Sequence, residues 1–178
     1  MAKYAAFLRG INVGGRTIKM DKLRYLLETK GFQKVHTLLA SGNVVLESKL
    51  GTAAMRAKIE RAIKEAFGFE VHVIVRRARE ILDLVKENPF KAVEVTPKTR
   101  LYVTFLSKPP KSKLKVPYTA LGGNYKILKV AKGHVISVIT LTPKSGTVNA
   151  MEILGKEFGD EITTRNWNTI TKLAKLMD

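Results

Sequence analysis

The sequence contains no cysteine, which excludes disulfide bonds and thiolate metal sites. Aromatic residues make up only 7% of the chain, which argues against a sheet surface that stacks nucleic-acid bases. No apolar run approaches the roughly 18 residues that a transmembrane helix needs. The N-terminus also lacks the apolar stretch and cleavage site of a signal peptide. We therefore expect a cytoplasmic protein with no membrane partner.

Acidic residues are scarce: the sequence has 15 Asp and Glu but 32 Lys and Arg, which gives a formal net charge of +17. The imbalance is uneven, since no acidic residue occurs between Glu94 and Glu152. A positive field of this kind attracts polyanions. Two interpretations are open: a solvated surface that promotes solubility, or a surface that attracts a phosphorylated or nucleic-acid ligand.

The first half of the chain predicts the element order β-α-β-β-α-β. Its strand segments are apolar or alternating, and its helices carry apolar residues at helical spacing. The expected elements are a strand at 4–8, a helix at 20–30, strands at 34–39 and 43–47, a helix at 52–67 and a strand at 70–75. This order is the ferredoxin-like arrangement, an antiparallel sheet with both helices on one face.

The second half echoes the first, with one helix replaced by a basic loop that contains prolines. Its expected elements are a strand at 101–106, the loop at 108–117, strands at 125–130 and 134–139, a helix at 148–158, a short strand at 162–164 and a helix at 167–177. We predict an α+β fold with an internal duplication, although no residue-level repeat is visible. The expected organisation is a ferredoxin-like subdomain at 1–76, a linker helix and loop at 77–99, and a second α+β subdomain at 100–178.

A glycine-rich segment between the first strand and the first helix is the main candidate site. Backbone N–H groups around Gly10, Gly14 and Gly15 can form an anion-binding concavity. Arg9 and Arg16 would add charge-assisted hydrogen bonds to phosphate or carboxylate. The segment lacks the Walker A and dinucleotide-binding spacings. The alternative is an ordinary connection whose glycines supply positive φ.

Two further segments offer polar groups. The segment 41–43 reads as a hairpin turn in which Ser41 and Asn43 could contact a ligand. At 165–168, Arg165 could bind an anion and Trp167 could stack on a base or ring. The structural alternative for this last segment is a capped start of the final helix.

Three segments together resemble a known family. They are Leu-Arg-Gly-Ile-Asn-Val-Gly-Gly at 8–15, Ser-Gly-Asn-Val-Val at 41–45 and Thr-Thr-Arg-Asn-Trp-Asn-Thr at 163–169. In this order they resemble the bacterial domain-of-unknown-function 1697 family, over essentially the whole chain. One departure is Ala40, where the family often carries Gln, so any role of that side chain is missing here. The resemblance implies a compact α+β protein built from ferredoxin-like halves, and it brings no established activity.

Two functions remain open: a binding module for a phosphorylated or nucleic-acid ligand, and a small-molecule enzyme with a pocket between the two halves. The histidines show no metal spacing, and no nucleophile elbow or carboxylate pair stands out. No cofactor or catalytic residue is therefore identified. The candidate ligand-binding residues are Arg9, Gly10, Asn12, Gly14, Gly15, Ser41, Asn43, Arg165, Asn166, Trp167 and Asn168.

Overall fold

The computed structural model describes residues 1–143 and 147–178. The chain divides into two compact units. The first consists of Met1–Glu87 together with Thr171–Asp178, and the second of Asn88–Ile170.

The first unit is built on a four-stranded antiparallel sheet. Its elements are β1 (Ala2–Leu8), α1 (Met20–Thr29), β2 (Gln33–Leu38), β3 (Asn43–Ser48), α2 (Thr52–Phe67), β4 (Val73–Arg77) and α3 (Ala78–Glu87). The strand order is β2-β3-β1-β4. This order confirms the predicted ferredoxin-like arrangement. The last strand begins three residues later than predicted, after the short connection that follows α2.

Helices α1 and α2 share one apolar core with the sheet. Alternate residues of β1 point to the same face, so Tyr4, Ala6 and Leu8 lie in one buried cluster. The same cluster contains Leu23 of α1 and Ile59 of α2. Both apolar helix stripes are therefore buried on one sheet face, as the sequence predicts.

The second unit carries a five-stranded antiparallel sheet. Its elements are β5 (Thr99–Leu106), β6 (Tyr118–Ala120), a one-turn 3₁₀ helix (Leu121–Gly123), β7 (Tyr125–Val130), β8 (His134–Thr140), α4 (Thr147–Phe158), β9 (Ile162–Asn166) and α5 (Trp167–Met177), of which α5 ends in the first unit. The order β6-β7-β8-β5-β9 contains the order of the first sheet, with β5 in the place of β1. The prediction of a second, similar half is confirmed.

The likeness of the two units extends to single hydrogen bonds. The amide of Leu8 donates to Gly42 O at 2.8 Å, and the amide of Leu106 donates to Gly133 O at 3.0 Å. Likewise, the amide of Arg9 donates to His72 O at 2.9 Å, and the amide of the equivalent Ser107 donates to Glu161 O at 3.1 Å. These bonds align Tyr-x-x-Phe-Leu at 4–8 with Tyr-x-x-Phe-Leu at 102–106.

Where the first unit has α1, the second has the proline-containing segment 108–117 and the edge strand β6. Residues 108–117 form neither helix nor strand, as predicted. Strand β6 was not predicted, because three residues are too few to show alternation. Among the described residues, no helix is both long and apolar enough to cross a membrane.

Candidate functional site

Asn12 joins the glycine-rich segment to the turn between β2 and β3. Its Nδ2 donates to Ile18 O at 3.1 Å and to Ala40 O at 2.5 Å, and its Oδ1 accepts from the amide of Ile18 at 2.9 Å. Its backbone has a φ of +57°, which Asn tolerates better than most residues. The first two predicted motifs therefore meet in space. Asn12 holds them together, so its side chain already has partners within the protein.

The turn between β2 and β3 requires glycine at position 42. Gly42 has a φ of +81°, and a Cβ there would lie 2.6 Å from Ile11 Cδ1 and 2.8 Å from Leu8 Cβ. Asn43 is fully buried, and its Nδ2 donates to Leu38 O at 2.8 Å and to Ser41 Oγ at 2.9 Å. Asn43 thus fixes the turn, and Ser41 is the exposed polar side chain of this motif.

The tip of the glycine-rich segment is open to solvent. Gly10, Gly14 and Gly15 are exposed and have φ values of +67°, +57° and +83°. The amide of Asn12 donates to Arg16 O at 2.7 Å and closes this loop on itself. A Cβ at Gly14 or Gly15 would meet nothing within 4 Å, so these glycines serve the backbone conformation rather than close packing.

Two exposed arginines flank this loop. The amide of Arg9 is fixed by its hydrogen bond to His72 O at 2.9 Å. The guanidinium of Arg16 folds back over the loop, and its Nη1 lies 4.0 Å from where a Cβ of Gly10 would be. Within residues 1–143 and 147–178, neither side chain makes an ion pair or a hydrogen bond. Both charges are available to a ligand.

A groove of about 630 Å³ lies beside the loop within the first unit. Its charged or titratable lining residues are Arg16, Glu60, Arg61, Lys64, Glu70 and His72. Arg61 was not among the residues chosen from the sequence. Its place on the polar face of α2 is visible in the sequence, but its proximity to the glycine-rich loop is a tertiary contact between distant segments.

The carboxylates of the groove already have cationic partners. Lys64 Nζ lies 2.7 Å from Glu70 Oε1, and this contact raises the pKa of Lys64 and lowers that of Glu70. Glu60 Oε1 lies 3.5 Å from Arg56 Nε and also accepts a hydrogen bond from the amide of Val73 at 2.9 Å. Arg16 and Arg61, by contrast, have no carboxylate partner in the described part of the chain.

Arg165 belongs to the second unit and is buried. It lies in β9, and its Nη1 donates to Thr163 Oγ1 at 2.6 Å and to Thr164 O at 2.9 Å. Burial lowers the pKa of Arg165 to about 10, so the side chain still carries its charge at neutral pH. Binding of an anion by Arg165 stays a prediction.

The predicted stacking residue Trp167 is half-buried at the start of α5. Its ring meets that of Phe90 edge to face, with centroids 5.2 Å apart and planes at 63°. Asn166 and Asn168 on either side are exposed. Trp167 thus has a packing role within the second unit, and its contact with a ligand stays a prediction.

A further feature is the arrangement of metal-binding residue types in residues 1–143 and 147–178. No group of three or more His, Asp or Glu side chains there is arranged to hold a metal ion.

The fold and this site define a class: an α+β protein with two antiparallel sheets, whose first unit is ferredoxin-like and carries a groove lined by charged residues beside a glycine-rich loop. Residues 1–135 match the family described as "Protein of unknown function (DUF1697)". The chain belongs to this family. It is also similar to a solved structure, the conserved bacterial protein SP0830 from Streptococcus pneumoniae. The two are 22% identical, with 99% of this chain and 98% of that chain covered and a TM-score of 0.74, which shows a shared fold. No curated protein matches the chain.

Proposed function

We propose that this protein binds an anionic ligand, a phosphorylated compound or a nucleic acid, at the glycine-rich loop of the first unit. The observation that carries the proposal is the pair of exposed arginines on this loop. Arg9 and Arg16 have no partner in the described part of the chain, while Asn12 fixes the loop that bears them. Guanidinium groups on a fixed loop are suited to phosphate, since less entropy is lost on binding.

Backbone strain supports the same location. Four non-glycine residues have positive φ in the described chain, and one of them, Leu39, directly precedes Ala40, which accepts the hydrogen bond between the two loops. A non-glycine residue in this region costs on the order of 1–3 kcal/mol, and such strain clusters at functional sites. Exposed Arg9 and Arg16 next to strained backbone therefore favour a binding role over a merely solvated surface.

The test is titration calorimetry with inorganic phosphate and with a short oligothymidylate, at about 50 mM and about 200 mM salt. Arg9→Ala and Arg16→Ala should each weaken binding by roughly tenfold, which corresponds to about 1.4 kcal/mol. Arg24→Ala is the matched control, because it removes one exposed arginine from α1 outside the groove. Equal weakening in all three variants would mean that only net charge matters, and no binding of either probe would refute the proposal.

A further inference from the structure

We infer that the groove beside the glycine-rich loop takes a small phosphorylated compound that also carries hydroxyl groups, rather than a nucleic-acid strand. The inference rests on the proposed function and narrows its ligand class. A volume of about 630 Å³ suits a small molecule, since ligand pockets span roughly 300–1,000 Å³.

The charges of the groove match one phosphate group. Arg16 and Arg61 are its two arginines without a carboxylate partner in the described chain, whereas Lys64 is engaged by Glu70 at 2.7 Å. A phosphate monoester carries about −1.5 to −2 at pH 7, which two guanidinium groups balance. The groove holds no further unpaired arginine or lysine among the described residues for a second phosphate.

The carboxylate of Glu60 in the groove affects which chemical groups the ligand can carry beside its phosphate. The contacts of Glu60 with His72, Arg56 and the amide of Val73 all involve Oε1. The side chain of Glu60 lines the groove and is 27% exposed, so it can still be reached by a ligand. A carboxylate oxygen accepts hydrogen bonds from hydroxyl groups but repels a neighbouring phosphate. Glu60 therefore favours a hydroxylated ligand over a chain of phosphates.

The second unit shows that the fold does not require these cations. Helices α2 and α4 each end at a Phe that is followed by Gly. The amide of that Gly donates to the carbonyl four residues earlier, at 3.0 Å after α2 and at 2.9 Å after α4. In this alignment Arg61 corresponds to Glu152 and Lys64 to Gly155. A related β-α-β-α frame thus forms without cations at these positions. Their presence in the first unit therefore points to a ligand.

The experiment compares four probes by titration calorimetry at about 200 mM salt: inorganic phosphate, ribose, ribose 5-phosphate and a short oligothymidylate. Ribose 5-phosphate should bind roughly tenfold more tightly than phosphate, and ribose alone should not bind detectably. Arg61→Ala should weaken both phosphate-bearing small molecules by a similar factor. Glu60→Gln should lower the ratio of the two affinities towards one without weakening the binding of phosphate.

Glu65→Gln is the matched control, because it removes a carboxylate from the same helix outside the groove and should leave the ratio unchanged. Thermal unfolding of each variant shows that it is folded. A ratio that is near one in the wild type, or that survives in Glu60→Gln, overturns the inference. Binding of oligothymidylate alone also overturns it but leaves the proposed function standing. Failure of every phosphate-bearing probe refutes both.

Discussion

Asn12 Nδ2 lies 2.5 Å from the carbonyl oxygen of Ala40, and this hydrogen bond joins the glycine-rich loop to the turn between β2 and β3. Replacing Asn12 with Ala should lower the free energy of unfolding by about 1–3 kcal/mol, because the carbonyl and amide of Ile18 also lose their partners. Asn12→Gly should lose about 1 kcal/mol less, because glycine adopts the φ of +57° without strain. Urea unfolding measures both values. If the free energy of unfolding of Asn12→Ala equals that of the wild type, these hydrogen bonds do not hold the loop.

Gly42 and Gly14 form a matched pair for separating steric overlap from backbone strain. Gly42→Ala should lose about 2–5 kcal/mol, since its new Cβ would lie 2.6 Å from Ile11 Cδ1 and its φ is +81°. Gly14→Ala should lose only about 1–2 kcal/mol, because the φ of +57° is strained but nothing lies within 4 Å. Chemical denaturation compares the two. Equal losses would contradict the close approach of Ile11 to the turn.

Tyr125 should make the second unit sensitive to alkaline pH. Burial raises the pKa of Tyr125 to about 12. Above about pH 10 the phenol ionises in the unfolded chain and not in the folded one. The stability that it contributes is thus full below about pH 10 and is lost as the pH rises through 12.

Tyr125→Phe is the variant that tests this pH dependence. Tyr125 Oη and Ser137 Oγ form no hydrogen bond of regular geometry in the described part of the chain, although Ser137 lies near enough to oppose part of the rise in the pKa of Tyr125. The substitution should therefore cost little at neutral pH. Between about pH 9 and about pH 11 the variant should lose less stability than the wild type, by on the order of 1 kcal/mol. If the free energy of unfolding falls equally with pH in both proteins, the phenol of Tyr125 is not held neutral by burial.

Trp167 is the only tryptophan, so the indole fluorescence of the protein comes from a residue of the second unit. Phe90→Ala should shift the emission to longer wavelength, because the half-buried indole loses the edge-to-face contact at 5.2 Å. Removal of the buried Phe90 ring should also lower the free energy of unfolding by about 3–5 kcal/mol. An unchanged spectrum would contradict the contact.

The same fluorescence signal separates the two candidate ligand sites. Phosphate that binds at the loop of Arg9 and Arg16 without touching the indole should leave the emission of Trp167 unchanged. A ligand that stacks on Trp167 should quench the emission, and such quenching would move the binding site to the segment 165–168. The titration needs only the wild-type protein and N-acetyltryptophanamide as a control for direct quenching by the probe.

The sequence by itself determined most of the elements and the order of the first sheet. Helix α2 was predicted with its observed bounds of 52–67, because the apolar spacing and the terminating Gly68 are local signals. Strand β7 and helix α5 were also predicted with their observed bounds. The positive φ of Gly10, Gly14 and Gly15 fits the turn that the glycine-rich segment indicated. These features depend on a few neighbouring residues, which the sequence shows directly.

Only the tertiary structure decided which of the polar residues face a common site. Arg61 lies 45 positions from Arg16 in the chain yet lines the same groove. Asn12 and Asn43, by contrast, are engaged by backbone carbonyls of the protein itself. The repeat of Tyr-x-x-Phe-Leu at 4–8 and 102–106 is identified by the equivalent hydrogen bonds of the two sheets. Strand pairing and helix packing bring distant segments together. Burial and partners, which decide whether an arginine can meet a ligand, are therefore set by contacts that no local pattern records.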